Sequence, residues 1–396
     1  MLRKIFTVMF AVVALLAAYL TLAPVPIEPA VWDAPKDAGY VGAYAVNTRL
    51  ANLSQVALGA EAGPEHVAAG PDGKIYAAVD SGKILRLNAD GSGLEVWANT
   101  GGRVLGFDFD ARGRLIAADA LRGLLSVEAG AGLSGAPTAD KKIQVLADTV
   151  SLDGRDDPIR YADAVVVAKD GKIYFTDASR HFGPKEWGGT FNASVLDIVE
   201  HAATGRVLMY DPATQKTQLV IDGLSFANGL ALASDERALF VAETGAYRIW
   251  KIDIAARGLS ARSDAEAGAN GTSPAPQARI VIANLPGYPD NLMRGMNGRI
   301  WLGLAKPRGA TIDNLAGKPF LRKMTLRLPR FLWPVPPAYG HVIAFDEEGN
   351  IVADLQDPSG KYPETTGVAE TADRLYIQSL HARNLGWLPK ASVALK

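Results

Sequence analysis

The sequence predicts an all-β protein, a six-bladed β-propeller behind an N-terminal transmembrane or signal helix. Three observations carry that expectation. One turn-and-strand phrase recurs six times, the 40 glycines and 23 prolines among 396 residues supply many turns, and strongly amphipathic helices are scarce along most of the chain. A repeat of this kind is the signature of a radial array of small sheets. Two packed open sheets would use the same strand chemistry, but they give no reason for the repetition.

The first element is apolar. Arg3 and Lys4 precede Ile5–Ala23, a run without charge that spans about 28 Å as a helix, close to the thickness of a bilayer core. It ends in Leu22-Ala23-Pro24, a poor cleavage site, and continues into the Pro-rich Val25–Pro35. Residues 1–24 therefore read as a membrane anchor, with a cleaved signal as the alternative. Bases before the run and Glu28 and Asp33 after it place the remainder on the exported side, periplasmic or extracytoplasmic, or secreted if the segment is removed. Residues 25–59 read as a linker and propeller entry, and 60–396 as the propeller.

The recurring phrase is a turn, a short apolar strand and often an acid. It reads Asp72-Gly73-Lys74-Ile75-Tyr76, Arg112-Gly113-Arg114-Leu115-Ile116 and Asp170-Gly171-Lys172-Ile173-Tyr174, then Asp235-Glu236-Arg237-Ala238-Leu239, Asn297-Gly298-Arg299-Ile300-Trp301 and Ala372-Asp373-Arg374-Leu375-Tyr376. Glycine supplies the positive φ of a tight hairpin, and β-branched and aromatic residues suit a buried strand. Six copies over some 300 residues give a period near 60, enough for four strands and generous loops. The polar stretch 260–278 reads as a flexible loop.

Composition closes several functional classes. Forty-one bases against 42 acids leave a net charge of −1, so no field for nucleic acid is expected. With no cysteine there is no thiolate metal site, cluster or cysteine nucleophile. Gly-x-Ser-x-Gly, His-Glu-x-x-His and phosphate-loop patterns are missing too.

Four places put an acid or amide where an apolar strand begins, each in a different repeat: Glu65, Asp163, Asn228 and the pair Asp290-Asn291. Their oxygens suit a hard cation, Ca²⁺ or another divalent ion. Each alone is also a turn former; the recurrence favours one shared metal. Asp290 is the candidate catalytic carboxylate, able to attack or to deprotonate water. His66, His181, His201, His341 and His381 are candidates for the channel or for structural roles.

Phe226-Ala227-Asn228-Gly229-Leu230-Ala231 leading to Val241–Ile249, with Tyr174–Ser179, Tyr210-Asp211-Pro212 and Leu285–Asn291, resembles the strictosidine synthase-like proteins over roughly residues 60–388, in particular the adipocyte plasma membrane-associated type. More distantly the chain is similar to gluconolactonase/regucalcin proteins and paraoxonases. The resemblance implies a six-bladed propeller with one anchor and a divalent ion held by Glu65, Asn228 and Asp290, with Asn291 beside it. Asp163 stands where relatives have asparagine, which keeps the oxygen and adds charge. Thr366 occupies the place of the synthase's catalytic glutamate, which argues against Pictet–Spengler condensation. The phrase Gly102–Phe107 lacks the histidine base of paraoxonases.

The segment 306–339 carries seven bases against one acid, Asp313. Phe320, Leu321, Met324, Leu328, Phe331 and Leu332 would share one helical face, away from Arg322, Lys323, Arg327 and Arg330, with Pro329 ending the helix. It reads as a lid packed on the propeller or as a membrane-surface element at 317–333 drawn to anionic lipid. The functional expectation is a metal-dependent hydrolase of small-molecule esters or lactones. A non-enzymatic binding module with a structural ion is the alternative.

Overall fold

The computed structural model describes residues 2–128, 142–152, 154–254, 278–393 and 395. Its strands form six four-stranded antiparallel sheets and one two-stranded hairpin, Thr149–Leu152 with Arg155–Pro158. From inner to outer strand, blade 1 is His66–Ala69, Ile75–Ala78, Lys83–Leu87 and Glu95–Asn99. Blade 2 is Val104–Phe109, Leu115–Asp119, Gly123–Glu128 and Lys142–Ala147, and blade 3 is Ala162–Val167, Ile173–Asp177, Gly205–Asp211 and Lys216–Leu224. Blade 4 comprises Ala227–Leu232, Ala238–Glu243, Arg248–Asp253 and Ala278–Ile282, and blade 5 Gly287–Arg294, Ile300–Pro307, Gly340–Phe345 and Ile351–Asp357. Blade 6 takes Thr365–Glu370, Arg374–Ser379 and Asn384–Pro389 from the C-terminal end. Its outer strand is Ser54–Ala57, paired with Trp387 through Asn384.

Each inner strand lies beside those of the neighbouring blades, so the six close a ring. Aliphatic and aromatic side chains fill the layers between blades: Phe240 meets Phe345 between blades 4 and 5, and Phe107, Leu115 and Leu125 pack on Tyr76, Ile84 and Trp97 between blades 2 and 1. All six copies of the sequence phrase became second strands. Gly73, Gly171 and Gly298 take the positive φ that the hairpin requires (75°, 86° and 80°). The acids that close several phrases have a bracing task. Asp119 Oδ1 accepts from Arg103 N at 3.0 Å, Asp177 Oδ1 from Tyr161 N at 2.9 Å and Glu243 Oε1 from Ser225 N at 2.9 Å. Each carboxylate thereby holds the loop that enters its own blade's inner strand. Of the stretch 260–278, only Ala278 is among the described residues, at the start of a strand.

Helix α1, Leu2–Leu22, projects from this body with no buried residue and is long and apolar enough to cross a membrane. Residues 24–53 then strap the propeller. Ile27 is fully buried, Glu28 N donates to Glu200 Oε1 at 2.8 Å, Trp32 stacks on His201 at 4.0 Å, and Leu50 N donates to Gln356 O at 3.0 Å. Short helix α2, Pro184–Trp187, and α3, Thr190–Glu200, sit in a long connection of blade 3. Helices α4, Ala310–Asn314, and α5, Pro319–Arg327, occupy the blade-5 insert.

The helix of the insert ends where Pro329 was expected to end it, with Leu328 as its extended cap. Its sidedness reverses the packed-lid expectation. Phe320, Leu321, Phe331 and Leu332 face outward with exposures of 53, 39, 84 and 53 %, while Arg322 and Arg327 are buried. Arg322 donates to Val199 O (2.9 Å) and Ala316 O (3.1 Å), and Arg327 to Ala23 O (2.6 Å) and Leu20 O (2.9 Å). Carbonyls at a helix C-terminus lack partners of their own, and a guanidinium supplies several donors in a fixed fork. Two bases read as lipid-facing are therefore internal staples, and Arg327 ties α5 to the end of α1.

Candidate functional site

Local backbone irregularity sets the channel residues. Register shifts interrupt the pairing of inner and second strands between Ala162 and Val165, Ala227 and Leu230, Pro289 and Leu292, and Thr365 and Val368. A bulge turns side chains off the regular alternation. Asp163, Asn228, Asp290-Asn291 and Thr366 fall inside these four irregular stretches, and Glu65 immediately precedes the blade-1 inner strand. Asn228-Gly229 is consequently not a turn but part of a strand. A Cβ on Gly229 would lie 2.2 Å from Asp290 O; only glycine permits this approach of two inner strands.

Glu65, Asp163, Asn228 and Asp290 share one cavity of about 80 Å³ with Asp80, Arg103, Tyr161 and His381. The sequence-predicted set thus comes together, apart from Asn291. That residue's Nδ2 donates to Glu65 O at 2.9 Å, and Thr366 Oγ1 donates to the same carbonyl at 2.7 Å, so both fasten the ring where blades 5 and 6 meet blade 1. Sequence reasoning missed Arg103, whose guanidinium pairs with Glu65 Oε2 and lies 2.9 Å from Asp80 Oδ1. Its phrase had been read only for the histidine it lacks.

Four carboxylates against one guanidinium and one imidazole leave the cavity short of positive charge. Burial, together with the Asp290 and Glu65 charges, pushes Asp163 well above the usual carboxylate range, and burial with Glu65 does the same to Asp290. Glu65 rises to about 7, because its burial outweighs Arg103. Asn228 Oδ1 is buried without a hydrogen-bond partner. Among the described residues no three His, Asp or Glu side chains gather tightly enough to hold an ion by themselves. The donor chemistry of Glu65, Asp163, Asn228 and Asp290 nevertheless fits a hard cation: side-chain oxygens, one of them a bare amide acceptor, and carboxyls that burial disfavours as anions.

Above this polar floor lies an apolar cavity of about 150 Å³, which also reaches Asn228 and Asp290. Val195 and Ile198 of α3, Leu326 of α5 and Trp333–Pro336 form its walls. The other histidines are accounted for elsewhere: His341 Nε2 is 2.7 Å from Asp354, His181 Nδ1 is 2.7 Å from Glu200, and His66 packs on Phe107.

Known proteins resemble this chain in sequence and fold. A strictosidine synthase-like N-terminal model matches residues 42–87, and a strictosidine synthase model matches 163–256. Protein strictosidine synthase-like 7 of Arabidopsis thaliana is 33 % identical over 293 residues, 72 % of this chain and 67 % of its own. The chain belongs to the strictosidine synthase-like family. The adipocyte plasma membrane-associated protein of Salmo salar is 27 % identical over 379 residues, covering 90 % of this chain and 82 % of that protein. Solved structures share the fold. A gluconolactonase of Xanthomonas campestris superposes with a TM-score of 0.54 at 19 % identity, covering 93 % of this chain and 99 % of that one. The calcium-binding protein regucalcin of Agrobacterium tumefaciens gives 0.52 at 14 %, covering 85 % and 93 %. Within the family, the Thr366 hydroxyl and its bond to Glu65 O leave no carboxylate at the position carried over from the synthase.

Proposed function

We propose that this strictosidine synthase-like chain is a membrane-anchored hydrolase of lipophilic esters or lactones, with its catalytic face on the exported side and a divalent cation, Ca²⁺ first, in the channel. One observation carries the reading: an acid-rich cavity with a bare amide oxygen lies directly beneath an apolar chamber, and Asp290 and Asn228 line both. Glu65, Asp163, Asn228 and Asp290 would hold the ion, with Asn291 beside them. When bound, such an ion supplies Lewis-acid polarisation of a carbonyl. Asp290 takes the proton of the attacking water, a role worth about 10²–10⁴-fold. Val195, Ile198, Leu326 and Pro334 enclose the apolar part of the substrate and exclude bulk water.

Membrane attachment draws support from α1, from its tie to α5 through Arg327 and from the outward Phe320, Phe331 and Leu332. The same insert presents apolar side chains outward and lines the chamber inward, so a substrate dissolved in the bilayer has a short path to it. The name of the Salmo salar relative agrees with a membrane location.

A panel of esters and lactones assayed with and without EDTA, alongside melting curves, tests the reading. Turnover should depend on the metal, vanish in Glu65→Gln and fall about 100-fold or more in Asp290→Asn. Full activity in Asp290→Asn would remove that residue from the role. The pairing of Arg103 with Glu65 favours a second reading, in which the ion is structural and the propeller binds a partner. Metal-dependent melting without turnover would select it.

A further inference from the structure

Blade 6 holds a pair of side chains that the mechanism above leaves unused. His381 follows the second strand of that blade, and its Nδ1 bonds to Glu364 Oε2. Lys306 Nζ lies 2.6 Å from the other carboxylate oxygen. Glu364 is only 9 % exposed and its backbone is fixed in the left-handed region at φ 51°, with its carbonyl accepting from Leu380 N at 3.0 Å. Ser379 Oγ donates to Pro363 O at 2.5 Å and accepts from Ala382 N at 3.0 Å, which binds the two loops together. A non-glycine residue persists at such a φ where its surroundings determine it, and these strains gather at functional sites.

With Nδ1 committed to Glu364, the ring's remaining nitrogen, Nε2, is free for other chemistry. His381 lines the 80 Å³ cavity together with Glu65, Asp163, Asn228 and Asp290. Its side chain is half exposed, 51 %, so solvent can return a proton to it. This is the arrangement of an orienting carboxylate behind an imidazole.

We propose that His381 is the general acid of the hydrolytic site, handing its Nε2 proton to the departing oxygen, and that Glu364 is the residue that positions it. The inference rests on the hydrolase reading. Water oxygen bonds to the carbonyl carbon while Asp290 takes the water's proton. The carbonyl carbon–oxygen bond to the leaving group then breaks, its electron pair goes to that oxygen, and the Nε2 proton joins it. Transfer of a proton from Asp290 to His381 through solvent restores both groups. An ester plus water gives an acid and an alcohol, and a lactone gives the hydroxy acid. The Glu364 hydrogen bond, with Asp80 and Glu65 adding to it, holds the His381 pKa above its ordinary value and so favours the proton-carrying form that an acid needs.

An acid of this kind matters according to the leaving group. An alkoxide departs only with a proton, whereas p-nitrophenolate departs without one. The experiment compares ethyl octanoate with p-nitrophenyl octanoate, using the full chain in detergent with saturating Ca²⁺. His381→Gln should lower kcat about 100-fold on the ethyl ester and less than about 3-fold on the p-nitrophenyl ester, with KM held. Glu364→Gln should show the same selectivity with a smaller loss. Because Glu364 also binds Lys306, a melting curve accompanies each variant, and His381→Gln decides alone if Glu364→Gln does not fold. Equal losses on the two esters, or no loss, overturn the inference while leaving the hydrolase reading in place. A wild-type chain that turns over neither ester overturns the two together.

Discussion

Asn228 and Gly229 are adjacent and do unrelated things. The amide oxygen of Asn228 stands bare in the channel, while the missing side chain of Gly229 lets the inner strand of blade 4 lie against that of blade 5. As a dipeptide the pair reads as a turn, and no local signal separates that reading from the strand the chain forms. Gly229→Ala should therefore destabilise the fold by about 1–3 kcal/mol, the usual cost of overpacking. It should also displace Asp290, whose carbonyl the new methyl would meet first. Denaturant titration measures the first effect. Divalent-ion dependence of the melting temperature measures the second, and an unchanged dependence would mean that the site does not rely on this approach. Glu65, Asp163, Asn228 and Asp290 were legible because each begins an apolar strand in its own repeat. Arg103 was not, because it belongs to a phrase without an acid. His381 was one of five histidine candidates that the sequence could not tell apart, and only closure of the ring brings it to the cavity.

At the scale of an element, α5 shows why amphipathicity is an incomplete guide. The spacing of Phe320, Met324 and the arginines was read correctly as a helix with two unlike faces. Sequence cannot say which face is inside when backbone carbonyls of α1 and the strap are available to arginine. With Arg322 and Arg327 spent internally, Phe320, Leu321, Phe331 and Leu332 stand outward, so the membrane attachment proposed above would be hydrophobic rather than ionic. A chain beginning at residue 25 should bind neutral phosphatidylcholine vesicles nearly as well at 0.5 M salt as at low salt, since screening leaves apolar burial intact. Phe331→Asp with Phe320→Asp should reduce co-sedimentation at least tenfold; no reduction would leave α1 as the chain's membrane contact.

Between elements, Glu370 joins blade 5, blade 6 and the C-terminal turn. Its carboxylate takes Arg299 Nε at 3.0 Å, Trp301 Nε1 at 2.8 Å and Lys390 Nζ at 2.5 Å. Hydrogen bonds from Arg299 and Lys390 overcome burial and hold its pKa at about 2, against an ordinary 4.5. A depressed carboxylate contributes stability that is complete above pH 4.5 and is lost as pH falls toward 2. Glu370→Gln should cost about 3 kcal/mol at neutral pH, with the difference from wild type shrinking as pH drops through that window. A difference independent of pH would show that packing, not charge, is what the substitution disturbs.

For the whole molecule, six phrases at a period near 60 were enough to count the blades, because every phrase carries its own turn and its own buried strand. The strap lies almost wholly within residues 25–59, read as a linker and propeller entry, since its irregular, proline-rich chain has neither helical nor strand period. What holds it are contacts to distant parts of the propeller, such as Trp32 on His201 and Arg308 Nη2 to Pro35 O at 2.6 Å.

The blade that mixes the two ends of the chain has a consequence for biogenesis. Ser54–Ala57 leaves the ribosome some 330 residues ahead of Asn384–Trp387, its partner strand, a wait of roughly 15–65 s at common elongation rates. Until the C-terminal strands arrive, the outer strand of blade 6 has no partner and the ring cannot close. Both edges belong to one chain, so their pairing is intramolecular and proceeds at a high effective concentration, which favours closure of blade 6 over edge-to-edge association with a neighbouring copy.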